Sequence, residues 1–196
     1  MTNDTVRDDN PRRREIALAA RALIAEHGFE GLRTRDIAAR VGINIATLHY
    51  HVPGKAALVE LLASSLRDEF IAVKDRHPEV TRTPRERLRQ ELDDYIHIRR
   101  DKPQVHQAMG ELMIRAKRDP SVEAIMRPLT AHWHACLAGI FTEGAADGSF
   151  RSGCDPQAAA SIVIGALTWR GRSVAAPEVA IEAIADELMN AFAVLT

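Results

Sequence analysis

The sequence predicts an all-α protein of about nine helices, and three observations carry that expectation. Apolar residues recur at three- and four-residue steps in segment after segment, the spacing that gathers them on one helix face. Asn10-Pro11, Thr83-Pro84, Asp119-Pro120 and Asp155-Pro156 stand where such segments begin, and a capping side chain followed by proline is a helix start signal. Ala, Leu, Glu and Arg abound while aromatic residues make up 5%, a composition that favours helices over sheets. No strand alternation, internal repeat or low-complexity tract competes with this reading.

The elements follow in order. Residues 1–10 are polar and are expected to be flexible. A first helix opens at Asn10-Pro11, carries Ile16, Ala20, Leu23 and Ile24, and closes at Gly28. Thr34 is expected to cap a short second helix with Ile37, Ala38 and Val41, stopped by Gly42. Asn44 is expected to cap a third, running to about His51. Residues 55–76 form a long apolar-striped helix. Thr83-Pro84-Arg85-Glu86 is a capping box that opens a helix with Leu88, Leu92, Tyr95 and Ile96. Pro103 starts the next. The helix from Pro120 is expected to kink near Pro128 and to end in a loop over residues 143–156. A further helix begins at Pro156 and the last at Pro177, with Ile181, Ile184, Leu188, Ala191 and Leu195 on one stripe.

The totals bound the function. At 196 residues the chain holds one sizeable domain or a small one beside a larger one, and 46% apolar with 27% charged residues is ordinary for a folded protein. No apolar run approaches the roughly 20 residues that span a bilayer, and the first residues lack the apolar stretch of a secretory signal. Two cysteines without metal-ligand spacing suit a reducing cytoplasm. The net charge of −1 conceals an asymmetry: residues 11–55 carry eight basic and four acidic side chains, residues 56–196 carry 17 and 20. A basic first third on an acidic body is the pattern of a protein whose first third meets a polyanion.

The stretch "TLHYHV" at residues 47–52 raises a sharper question. Three adjacent rings, His49, Tyr50 and His51, cannot all face a core, because consecutive helical positions lie about 100° apart. Leu48 and Val52 share an inward face with Ile45 or Val41, so the rings must face something else. Residues 34–51 thus read as helix, glycine turn, helix, the layout in which the second helix is offered to the DNA major groove.

Residues 28–59 resemble the TetR (tetracycline-repressor-like) family of bacterial transcriptional regulators. The resemblance rests on Gly28-Phe29, Thr34, Asp36-Ile37-Ala38, Gly42-Ile43, Thr47-Leu48-His49-Tyr50-His51-Val52 and Lys55. His49 stands where the family usually has Tyr, and Asn44 and Ala46 replace the common Ser and Gly. The resemblance implies a DNA-binding domain at residues 1–55, with Thr34, Arg35, Asn44, Ile45, Thr47, His49, Tyr50, His51 and Lys55 facing DNA. Thr47, Tyr50 and Lys55 have the chemistry to hold phosphates. Arg12, Arg13 and Arg14 are either a basic arm on the DNA backbone or a solvated helix start.

Residues 56–196 are then expected to bind a ligand and to dimerise. Tyr95, His97, His106, Met109, Met113, Trp133 and Phe141 combine bulky, adaptable apolar side chains with imidazoles, a mixture that suits a mostly apolar small molecule and equally a plain core. The resemblance implies that the last two helices build a homodimer seam through Ile162, Ala166, Ile184 and Leu188. No catalytic motif, cofactor or metal site is expected: His132 and His134, two apart, lie on different helix faces. Cys136 is read as a packed small hydrophobe and Cys154 as a loop thiol beside Arg151. The reading is a cytoplasmic, non-enzymatic repressor released from a palindromic operator by a small molecule. Its rivals are an effector-free regulator or activator, and a helical binding protein or enzyme on the same fold.

Overall fold

A computed structural model describes residues 10–76, 82–169 and 179–193. Among them lie nine α-helices and no strand: α1 (Pro11–His27), α2 (Thr34–Val41), α3 (Ile45–His51), α4 (Lys55–Lys74), α5 (Pro84–Asp101), α6 (Pro103–Ala116), α7 (Pro120–Asp147), α8 (Pro156–Trp169) and α9 (Ile181–Ala191). The expected start of the last helix at Pro177 and its end at Leu195 lie outside the described residues. The described residues form two compact units, one of residues 10–76 together with 101–129, the other of 82–100 with 130–169 and 179–193.

In the first unit α1 packs against α2, α3, α4 and α6. Ile16, Ala20, Leu23 and Ile24 of α1, Ile37 of α2, Leu48 of α3, Leu62 and Leu66 of α4 and Leu112 of α6 are all buried. The helix starts are built as expected: the Asn10 side chain accepts from the Arg12 and Arg13 N–H groups, with Pro11 in the first turn. One charge lies inside this unit. Arg21 is 5% exposed, and its Nη2 donates to Glu69 Oε1 at 2.9 Å while Lys102 Nζ meets Glu69 Oε2 at 2.7 Å. Burial alone would raise the Glu69 carboxyl; hydrogen bonds from Lys102 and Arg21 outweigh it and hold the group below the ordinary carboxylate range.

The second unit has a core of Leu88, Leu92, Leu137, Phe141, Phe150, Val163, Leu188 and Phe192 with their neighbours. Phe141 lies 5.0 Å from Phe150 and 4.7 Å from Phe192, centroid to centroid, in tilted arrangements. The capping box at Thr83 is complete: Thr83 N–H donates to Glu86 Oε2 at 2.8 Å, and Glu86 N–H to Thr83 Oγ1 at 3.3 Å. Helix α7 runs on to Asp147, five residues into the segment expected to be loop. Ala145 and Ala146 are good helix formers, and Gly148, at φ +80°, is where the chain turns away. Gly144 is required by contact: a Cβ there would sit 2.1 Å from Phe150 Cδ2.

Candidate nucleic-acid interface

The turn before α2 sets the geometry. Leu32 N–H donates to Phe29 O at 3.2 Å, delivering Arg33 in an extended conformation. The Arg33 carbonyl then takes bonds from Asp36 and Ile37, so α2 starts one residue earlier than expected. Thr34 is therefore the first helical residue and not the cap, and no side-chain cap bond forms at this helix. At the other end Gly42, at φ 73° and ψ 33°, adopts the left-handed conformation, while its N–H and that of Ile43 donate to Ala39 O and Ala38 O.

Asn44 follows at once, and its Oδ1 accepts from Thr47 N–H at 2.7 Å, fixing the start of α3. Leu48 is 1% and Val52 5% exposed, so this face anchors the helix. Ile45, one of two residues expected to complete the inward face, is 49% exposed instead. Tyr50 is 84% exposed, an unusual state for a tyrosine. His49 is exposed, while Thr47 and His51 are half-buried. The far end of α3 is held from α1: Arg13 Nη1 donates to the His51 carbonyl at 2.6 Å. The His51 ring meets Tyr50 edge-on at 5.1 Å.

Around this helix the charges are largely paired. Arg12 bridges to Glu15 at 2.7 Å and Arg35 to Asp36 at 3.5 Å. Arg40 makes two bonds to Glu26, at 2.7 and 2.8 Å, which hold that carboxyl below its ordinary range. The three arginines at residues 12–14 sit in the first turns of α1. Lys55 opens α4 with its Nζ 3.8 Å from Asp119 Oδ2 and 5.4 Å from the centre of the Phe29 ring. Arg13 as a support for α3 escapes sequence reasoning, because its partner lies 38 residues away.

The residues expected to meet a small molecule are divided between the two units. Tyr95 and Trp133 stack with nearly parallel rings 5.8 Å apart, and the buried Tyr95 hydroxyl donates to Leu167 O at 3.1 Å. Burial pushes that hydroxyl's pKa up. Phe141 is 0% exposed within the aromatic core, and His97 is half-buried on α5. His106, Met109 and Met113 are half-buried on α6, in the first unit. A groove of about 750 Å³ that no pattern foretold lies in the second unit, lined by Arg82, Arg85, Arg89, Asp186 and Asn190 among others. It is polar, unlike the expected apolar cavity.

Of the residues expected at a dimer seam, Ile162 is 55% exposed and Ala166 and Ile184 are half-buried, but Leu188 is buried in the core of the second unit. Cys154 lies in the loop before α8 as expected, but the burial of the two cysteines differs from expectation. Cys154 is buried in the core, whereas Cys136 is half-buried, with its sulfur 3.6 Å from His132 Nε2. Among the described residues no group of three metal-ligating side chains converges, and no helix is long and apolar enough to cross a membrane.

Comparison with known proteins agrees with this geometry. The family of bacterial regulatory proteins designated tetR matches residues 16–62, and the tetracyclin repressor-like C-terminal domain matches residues 78–192. Over 51 residues the chain is 43% identical to the tetracycline repressor protein class D of Escherichia coli, a match spanning 26% of this chain and 23% of that protein. A protein of Rhodococcus sp. described as a TetR-family transcriptional regulator superposes with a TM-score of 0.80 at 25% identity, over 92% of this chain and 96% of that one. AibR, solved with isovaleryl coenzyme A and operator DNA, superposes at 0.72 with 23% identity, over 92% and 97%. The two matched regions together span most of the sequence, and the chain belongs to the TetR family of DNA-binding transcriptional regulators.

Proposed function

We propose that the protein is a homodimeric repressor that holds a palindromic operator through α3 and releases it on binding a small, mostly apolar effector. The observation that carries this reading is the disposition of α3: Leu48 and Val52 are sunk into the unit while Tyr50 stands 84% exposed beside His49. An apolar anchor beneath a row of outward hydrogen-bonding rings is what a major-groove reader requires. Residues 1–55 would read DNA, through Thr34, Arg35, Asn44, Ile45, Thr47, His49, Tyr50, His51 and Lys55. Residues 56–196 would dimerise and sense, with the Tyr95–Trp133 stack as a flat apolar wall for the effector. Two relatives support both halves: one is named a tetracycline repressor, and the other was solved with an acyl coenzyme A and its operator. The protein works, on this reading, in the bacterial cytoplasm and without catalysis or cofactor.

Selection of duplexes from a random library by the full-length protein tests the reading. It should return a palindrome whose affinity falls steeply with salt, because phosphate neutralisation releases counterions. Tyr50→Ala removes an exposed side chain, so the fold should persist while operator affinity drops about tenfold, the worth of one charge-assisted hydrogen bond. Recovery of no preferred sequence, or an undiminished Tyr50→Ala, would count against it.

A further inference from the structure

Within the DNA-reading assignment, and resting on it, we infer that operator binding takes up a proton on His49. His49 is exposed on α3, next to the 84% exposed Tyr50. Its helix packs against α1 and α2, so the charged groups of those two elements decide what the imidazole meets. The carboxylates there are already engaged: Glu15 by Arg12, Asp36 by Arg35, and Glu26 by Arg40. Arg13 donates to the His51 carbonyl, and Arg14 is exposed at the start of α1. Among the described residues neither His49 nor His51 forms an ion pair with a carboxylate. Among those residues a protonated His49 therefore has no acidic partner of its own, and the negative charge it lacks is what a phosphate backbone or a purine N7 and O6 edge supplies.

The sign follows from linkage. Histidine is the side chain that changes charge near neutrality, and a polyanion favours its charged form. The complex binds more protons than the separated partners, so affinity rises as pH falls. His51 is less suited to the same role: it is half-buried, its ring lies edge-on to Tyr50, and its carbonyl receives a guanidinium. One proton taken up per reading helix between ~pH 8 and ~pH 6 corresponds to about a tenfold gain, so the two His49 side chains of a dimer give about a hundredfold gain in affinity at constant ionic strength.

The test uses the full-length protein and the duplex that it selects from a random library. Wild type, with two His49 side chains per dimer, should bind about a hundredfold more tightly at ~pH 6 than at ~pH 8. His49→Gln, which keeps hydrogen bonding but cannot charge, should lose most of that dependence. His49→Lys, charged throughout, should bind at ~pH 8 nearly as tightly as wild type at ~pH 6. Circular dichroism of each variant checks that an exposed substitution has left the fold intact. Wild-type affinity that ignores pH overturns the inference while leaving operator reading in place. A pH dependence kept by His49→Gln and lost in His51→Gln overturns it too, by assigning the proton to the other ring. Failure to select any duplex overturns the reading beneath it.

Discussion

Asn44 decides whether α3 exists as a helix. Seven residues are too few to be helical on their own, and this segment begins with a β-branched Ile45. The Asn44 side chain satisfies the Thr47 N–H at 2.7 Å, and loss of such a cap costs about 1 kcal/mol. Asn44→Ala should lower the melting temperature by about 3 °C for a chain of this size and weaken operator binding by loosening the start of the reading helix. Asn44→Ser should restore both, since a hydroxyl caps nearly as well. Equal melting of all three proteins would show that the cap is idle. Residue-scale features of this kind were legible wherever donor and acceptor are neighbours in sequence: Asn10, Asn44 and the Thr83–Glu86 box all formed as expected. Thr34 was not, because whether a residue caps or begins a helix depends on the backbone arriving from the Phe29–Leu32 turn.

Between elements, Asp119 is the junction of the first unit. One oxygen accepts from Ser121 Oγ and N–H at 2.6 and 3.2 Å, closing the start of α7. The other accepts from Arg115 of α6 at 2.9 Å and lies 3.8 Å from Lys55, the first residue of α4. Arg115 in turn reaches Glu30, in the turn before α2, at 2.6 Å. Ser121 and then Arg115 hold the Asp119 carboxyl down to about 2. A carboxylate depressed in the folded state contributes stability that is present above the unfolded value, about 3.9, and lost as pH falls from there toward the folded value. Acid unfolding of the wild type should therefore steepen between ~pH 4 and ~pH 2, and Asp119→Asn should flatten that limb while lowering stability at neutral pH. A variant whose acid limb overlays the wild type would remove Asp119 from this role. The sequence showed Asp119-Pro120 as a helix start but not as a junction, since its partners lie on three different segments. The end of α7 was misplaced for a related reason: glycine and serine near residues 144–149 suggest a loop, yet Gly144 is there to admit the Phe150 ring onto the helix.

At the scale of the whole molecule, the helix order and the reading motif were legible because both rest on local spacing. The effector and dimer residues were not separable from core, because an apolar stripe looks the same whether its own subunit or a partner covers it. Phe141 and Leu188 show the difficulty, since both are buried within their own unit. Among the residues proposed for the dimer seam, Ile162 is the one left most exposed. Ile162 projects from α8 at 55% exposure, four positions before the half-buried Ala166, and a large aliphatic side chain exposed on an apolar helix is the kind of feature a second subunit covers. Placing a charge there costs the isolated subunit almost nothing, yet it puts an unpaired carboxylate into the seam of a dimer. Ile162→Glu should thus keep its helical spectrum and melt as a folded protein, but sediment as a monomer at micromolar concentration. Operator affinity should fall with it, because two reading helices joined in one dimer engage half-sites about 34–36 Å apart together, and a monomer forfeits the effective concentration that linkage provides. Leu188→Glu makes the contrast, since it charges the core and should unfold the chain outright. A folded Ile162→Glu that remains dimeric in the ultracentrifuge would move the subunit contact to another face.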